Sequence, residues 1–201
     1  LTDFSDSSAD VYLINTCTVT NTSDQKSRKM IRQARAKNKD AIVVAMGCFT
    51  QIRNNDNQIM DFVDVVIGNK DKSKVVDLTE DYIKNKQKIA KIEDINEADF
   101  DDMEISYFNT RTRALVKIED GCENFCSYCI IPYVRGRVRS KKPERVIEEA
   151  KRLVKNGYKE IVLTGIHTGH YGADLKDYDF SDLLLELEKI EGLDRIRISS
   201  I

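Results

Sequence analysis

Short apolar runs that alternate with stretches of helical spacing restrict this chain more than any other feature of its sequence. The runs are Val11–Ile14, Ala41–Met46, Phe62–Ile67, Ala114–Glu119, Glu160–Leu163 and Arg195–Ser200. Each is too short for a buried helix and rich in the residues that favour strands. Between them the spacing predicts helices over 23–39, 75–86, 143–156 and 180–190, and a short one within 50–60. Thr22 or Ser23 is the expected N-cap of the first helix, whose apolar side (Met30, Ile31, Ala34) is thin. Pro143 suits the first turn of its helix, and Gly157 suits its end. Strand–helix alternation of this kind implies a parallel α/β layer structure.

The alternation breaks once. Seven acidic residues fall between Glu93 and Glu104 with few apolar neighbours. The expected organisation is therefore an α/β domain over 1–90, an acidic linker over 91–112, and a second unit over 113–201 that opens as β-loop-α-β-α-β. The chain begins at Leu1 rather than Met and stops inside an apparent strand, RIRISSI, so it reads as a fragment cut at both ends. Apolar residues make up 41%, enough for a core. No apolar run approaches the roughly 18 residues of a membrane helix. The net charge of −2 carries no signal for nucleic acid, so any such signal must be local.

Five cysteines stand at positions 17, 48, 122, 126 and 129. An odd number, three of them within eight residues, makes a poor disulfide framework. Clustered thiols without a secretion signal read better as metal ligands in a reducing cytoplasm. Cys122, Cys126 and Cys129 have the spacing C-x3-C-x2-C, at the C-terminal end of a predicted strand where parallel α/β folds collect their sites. Three thiolates can hold three irons of a [4Fe–4S] cube and leave the fourth iron open to another ligand. Zinc with a remote fourth ligand is the alternative at this point. Cys17 and Cys48 each follow a predicted strand. If those strands are neighbours, about 4.8 Å apart, the two thiols share one sheet edge; otherwise they are buried free cysteines.

C-x3-C-x-aromatic-C, with Tyr128 as the aromatic, resembles the defining motif of the radical S-adenosylmethionine (SAM) enzymes. The flanks sharpen the likeness. GCENFCSYCIIPYVRGRVRS is similar to the segment of the methylthiotransferase family, as are NTCTVT and GC around Cys17 and Cys48. The resemblance implies a Rossmann-like N-terminal domain followed by the first part of a radical SAM partial (β/α) barrel. It implies a radical SAM [4Fe–4S] cluster on Cys122, Cys126 and Cys129. It also implies an auxiliary [4Fe–4S] cluster on Cys17 and Cys48, with a third family cysteine lying upstream of Leu1. Tyr128 would lie against the adenine of SAM. Gly165, in LTGIHTG, would let backbone approach the SAM amino group, although a plain turn glycine fits equally. His167 beside it reads as a loop or packing histidine.

Two basic clusters are candidates for RNA. Seven basic residues lie between Lys26 and Lys39 with no acid among them, and Arg135, Arg137, Arg139, Lys141, Lys142 and Arg145 form the second. Phosphate contacts and a solvated face are both open readings for the first. In the second, Arg135, Arg137 and Arg139 are the candidate substrate contacts, with SAM or an acidic partner as the alternative for Arg135. Methylthiotransferases act on isopentenyladenosine or threonylcarbamoyladenosine in tRNA, or on a ribosomal-protein aspartate. NTCTVT, LTGIHTGHYG and RISSI resemble the threonylcarbamoyladenosine group. The partners implied are a tRNA anticodon stem-loop and an electron donor of the flavodoxin or ferredoxin type, with no membrane. A reading of another class, a non-enzymatic metal-binding module, stays open.

Overall fold

The computed structural model describes residues 8–53, 56–101 and 112–201. Part of the lead-in (1–7) and part of the acidic linker (102–111) lie outside the described residues. The chain forms two compact units, Leu1–Ala98 with Cys126–Arg135, and Asp99–Phe125 with Gly136–Ile201.

The first unit carries four parallel strands in the order β1-β2-β3-β4: β1 (Val11–Thr16), β2 (Ile42–Gly47), β3 (Val65–Ile67) and β4 (Ile89–Lys91). Helix α1 (Asn21–Lys37) connects the first two. Its N-cap is Thr20, whose hydroxyl accepts the Ser23 N–H at 3.1 Å, so the helix starts at Asn21, two residues before the expected start at 23. Its buried stripe is Ser27, Ile31 and Ala34, whereas Met30 is exposed. Ser27 turns inward because its hydroxyl bonds the Cys17 N–H and C=O. The expected short helix is two: α2 (Cys48–Arg53) and α3 (Asn57–Met60). Helix α4 (Val75–Asn85) leads into β4, a strand the sequence reading left out. Tyr12, Ile14, Val43 and Ala45 pack with Ile31 and Ala34 on one side of the sheet, while Val44, Val65 and Ile67 pack with Val75 and Leu78 on the other.

The second unit holds three parallel strands in the order β5-β8-β9: β5 (Ala114–Lys117), β8 (Glu160–Thr164) and β9 (Arg195–Ile198). Between β5 and β8 the chain adds β6 (Glu119–Asp120), the short helix α5 (Ile131–Arg135) and β7 (Arg139–Ser140). Strands β6 and β7 pair antiparallel, Glu119 opposite Ser140. Helices α6 (Pro143–Lys155) and α7 (Phe180–Glu188) make the two crossovers. Val146, Ala150 and Leu153 of α6 bury against Ala114, Val116, Ile161 and Leu163. Two successive βα units on a parallel sheet are the opening of the expected barrel.

Candidate functional site

Among the candidate residues, Cys17, Cys48 and Gly165 directly follow the C-terminal ends of the parallel strands β1, β2 and β8. In the first unit, Thr16 of β1 is the register partner of Gly47 of β2. Cys17 and Cys48 therefore leave two neighbouring strands at the same edge. Cys17 is exposed, and Ser27 clamps its backbone. Cys48 is 1% exposed at the start of α2. Its sulfur accepts two bonds, from Arg135 Nε at 3.1 Å and from Asn69 Nδ2 at 3.6 Å. The same Asn69 amide donates to the Val134 carbonyl at 2.5 Å. Arg135, a candidate substrate contact by sequence, is thus turned onto the Cys48 sulfur.

The segment Cys126–Arg135 belongs to this first unit. Cys126 is exposed and Cys129 half-buried, with the Cys129 N–H bonding the Cys126 carbonyl at 2.9 Å. Tyr128 is 91% exposed, an aromatic face open to a ligand. Ile131, Pro132 and Val134 are buried.

Cys122 belongs to the second unit and is buried. Its N–H donates to the Gly136 carbonyl at 3.0 Å, and Gly121 before it has φ +90°. Just upstream stands Glu119, which sequence reasoning missed. It is 0% exposed. Its Oε2 accepts the N–H groups of Ile166 and His167 at 2.8 and 2.9 Å, and its Oε1 is buried with no hydrogen-bond partner among the described residues. Burial raises its carboxyl to about 7, with Asp120 adding to the shift, while the His167 and Ile166 N–H groups and Lys117 oppose it. Gly165 faces this carboxylate: a Cβ there would stand 2.6 Å from Glu119 Oε2. An acidic pair directly after a buried run, in ALVKIEDGC, was the signal available in the sequence.

The three candidate arginines separate. Arg137 is exposed. Arg139 is 7% exposed, and its guanidinium bonds the Arg137 carbonyl and faces Asp120 at 3.9 Å. Lys141, of the same basic cluster, is 2% exposed and pairs with Glu149 at 2.8 Å. These two bases are internal, whereas Arg137, Lys142 and Arg145 are on the surface, Arg145 facing Glu148 at 3.2 Å. On α1, Arg28 pairs with Asp24 and Asp56 and Arg35 with Asp64; Lys26, Lys29, Arg32 and Lys37 on the helix and Lys39 after it are exposed.

Among the described residues no three His, Cys, Asp or Glu side chains converge as a metal ion would require. The donor chemistry nevertheless fits an iron–sulfur cluster: all five cysteines are free, and three follow one another at C-x3-C-x2-C. The orphaned Glu119 oxygen beside Gly165 fits a ligand that brings hydrogen-bond donors.

Residues 2–68 match the family described as uncharacterized protein family UPF0004, and residues 116–201 match the radical SAM superfamily. The chain is 49% identical over 195 residues to the threonylcarbamoyladenosine tRNA methylthiotransferase MtaB of Bacillus subtilis, covering 96% of this chain and 43% of that protein. It is 42% identical to the MtaB of Aquifex aeolicus, over 96% of this chain and 47% of that one. A tRNA-2-methylthio-N(6)-dimethylallyladenosine synthase of Clostridium botulinum is 36% identical, over 94% and 43%. The chain thus spans under half the length of these relatives. Among solved structures, the radical SAM methyltransferase TsrM of Kitasatospora setae matches with a TM-score of 0.55 at 12% identity, over 83% of this chain and 38% of that one. That likeness is one of fold.

Proposed function

We propose that this chain, a member of the radical SAM superfamily, is the cofactor-bearing part of a tRNA methylthiotransferase acting on threonylcarbamoyladenosine next to the anticodon. The observation that carries the proposal is the set of three free thiols, Cys122, Cys126 and Cys129, spaced C-x3-C-x2-C directly after strand β6. The relatives named for this reaction support the substrate.

Cys122, Cys126 and Cys129 would hold a [4Fe–4S] cluster with one open iron. Bound there with SAM, that cluster supplies one-electron cleavage of a carbon–sulfur bond, which no side chain can perform. The chain's own residues bind and orient. Tyr128 offers its exposed ring to the adenine of the cofactor. Glu119 fixes the Gly165–His167 backbone at the end of β8. Cys17 and Cys48, at one sheet edge, would carry a second cluster on the sulfur-transfer route. Arg137, Lys142 and Arg145 present surface charge to the anticodon stem-loop, whose loop bases can splay towards a recessed site. A flavodoxin- or ferredoxin-type protein would supply the electron.

Anaerobic reconstitution tests the chemistry. About four irons and four sulfides per chain, lost in Cys126→Ala, are expected, and about eight with a second cluster on Cys17 and Cys48. Stoichiometric zinc without sulfide would instead leave a metal-stapled binding module. The dimethylallyladenosine-type relative motivates one further measurement. Nucleoside analysis of tRNA after deletion of the gene should show loss of the methylthio group from threonylcarbamoyladenosine alone; loss from isopentenyladenosine, or no change in tRNA, would reassign the substrate.

A further inference from the structure

A buried carboxylate with one oxygen fully engaged and the other empty-handed is an unusual arrangement. Burial of an ionisable group without partners is costly, and such groups persist where a ligand completes them. Glu119 is in that state. Oε2 accepts two backbone N–H groups at 2.8 and 2.9 Å, and Oε1 accepts none among the described residues. The charges around it are accounted for. Lys117 Nζ is drawn to Asp120 at 2.7 Å, and Arg139 faces Asp120 at 3.9 Å. His167 gives Glu119 its backbone N–H, while its ring stacks on His170 at 4.0 Å. None of these side chains is bonded to Oε1. Gly165 packs against the engaged oxygen: a Cβ there would stand 2.6 Å from Glu119 Oε2 and 3.2 Å from Glu119 Cβ.

The geometry points to Glu119 as a ligand-binding residue with two tasks: Oε2 holds the loop after β8, and Oε1 accepts a hydrogen bond from an amine or hydroxyl donor of the bound cofactor. This rests on the radical SAM reading, because SAM carries both an ammonium group and ribose hydroxyls.

The two tasks separate in one isosteric variant. In Glu119→Gln the amide oxygen can still accept the Ile166 and His167 N–H groups. The atom in the place of Oε1 becomes an NH2 group, which donates and cannot accept. The test uses the full chain, reconstituted anaerobically and kept without reductant, with SAM itself as the probe. Equilibrium dialysis gives its affinity, and hydrogen exchange follows the Ile166 and His167 amides. E119Q should keep wild-type iron content and wild-type protection of both amides, yet bind SAM at least roughly tenfold more weakly. Glu119→Ala should lose the protection as well as the affinity. Wild-type affinity in E119Q, with the wild-type chain binding SAM, overturns the inference and leaves the enzyme reading standing. A wild-type chain that takes up iron and sulfide but binds no SAM overturns both.

Discussion

Lys141 and Glu149 form an ion pair whose removal tests how the basic cluster after the cysteine loop is built. The Lys141 side chain is 2% exposed, that of Glu149 is 4%, and the charged atoms are 2.8 Å apart. Glu149 occupies the inward stripe of α6 with Val146, Ala150 and Leu153. At an effective dielectric of about 20 the attraction across that distance is about 6 kcal/mol, largely offset by the desolvation of both ions. Removing one partner keeps the desolvation cost and loses the attraction. Lys141→Met should therefore destabilise the fold by about 3–5 kcal/mol, a large share of a typical domain's stability. The double variant Lys141→Met, Glu149→Leu should recover to within about 1 kcal/mol of wild type. Urea denaturation followed by circular dichroism, run as a double-mutant cycle, gives the coupling directly. A second readout separates structure from recognition. A lysine contacting phosphate lowers the salt slope of RNA binding by about 1 when removed. Under conditions where the variants are folded, the slope for an anticodon stem-loop should not change. A Lys141→Met cost under about 1 kcal/mol, with a reduced salt slope, would refute the buried-pair account.

Gly121→Ala should cost at least about 3 kcal/mol in the same melts. A Cβ at φ +90° is strained by about 1–3 kcal/mol and would stand 1.9 Å from the Arg137 carbonyl oxygen, forcing apart the Cys122 N–H to Gly136 bond; a near-neutral result would contradict the close approach of these backbones. The carboxyl of Glu119, raised by burial from 4.5 to about 7, should make the fold pH-sensitive. The folded state favours the protonated acid, so this contribution is complete below about 4.5 and is lost as pH rises through about 7, by at most about 3 kcal/mol. The difference in unfolding free energy between wild type and Glu119→Gln should shift by that amount and in that direction, and a difference independent of pH would rule it out.

Both parallel sheets, apart from β4, were legible because strand runs such as Ala41–Met46 and Ile161–Leu163 are apolar along their whole length, a pattern set by local composition. The cysteine motif was legible because its spacing is itself the chemistry. What escaped depends on partners distant in the chain. The β6–β7 pair joins two-residue segments across a long loop and leaves no periodic trace. A count of basic residues places Arg139 and Lys141 with Arg137, yet only the fold brings Asp120 and Glu149 to the first two. Arg135 looked like a surface contact for the same reason; its partner, Cys48, lies 87 residues earlier. The cap of α1 was misplaced because Thr20, Thr22 and Ser23 can all cap, and the choice of Thr20 follows from its hydroxyl accepting the Ser23 N–H.

The bond from Arg135 to Cys48, with that from Asn69 to Val134, also bears on how the chain is assembled during synthesis. The first unit is discontinuous: residues up to Ala98 are completed only by Cys126–Arg135. A ribosome that has released the four-stranded sheet has released an unfinished object, whose Cys48 sulfur and Asn69 amide still await partners tens of residues away. Non-local closure of this kind is slow compared with local helix and turn formation. Until it occurs, the N-terminal sheet lacks the buried Ile131, Pro132 and Val134 and the Arg135 guanidinium, and apolar surface left uncovered in this way favours misassembly. Cutting the protein at the boundary its composition suggests would make that stage permanent.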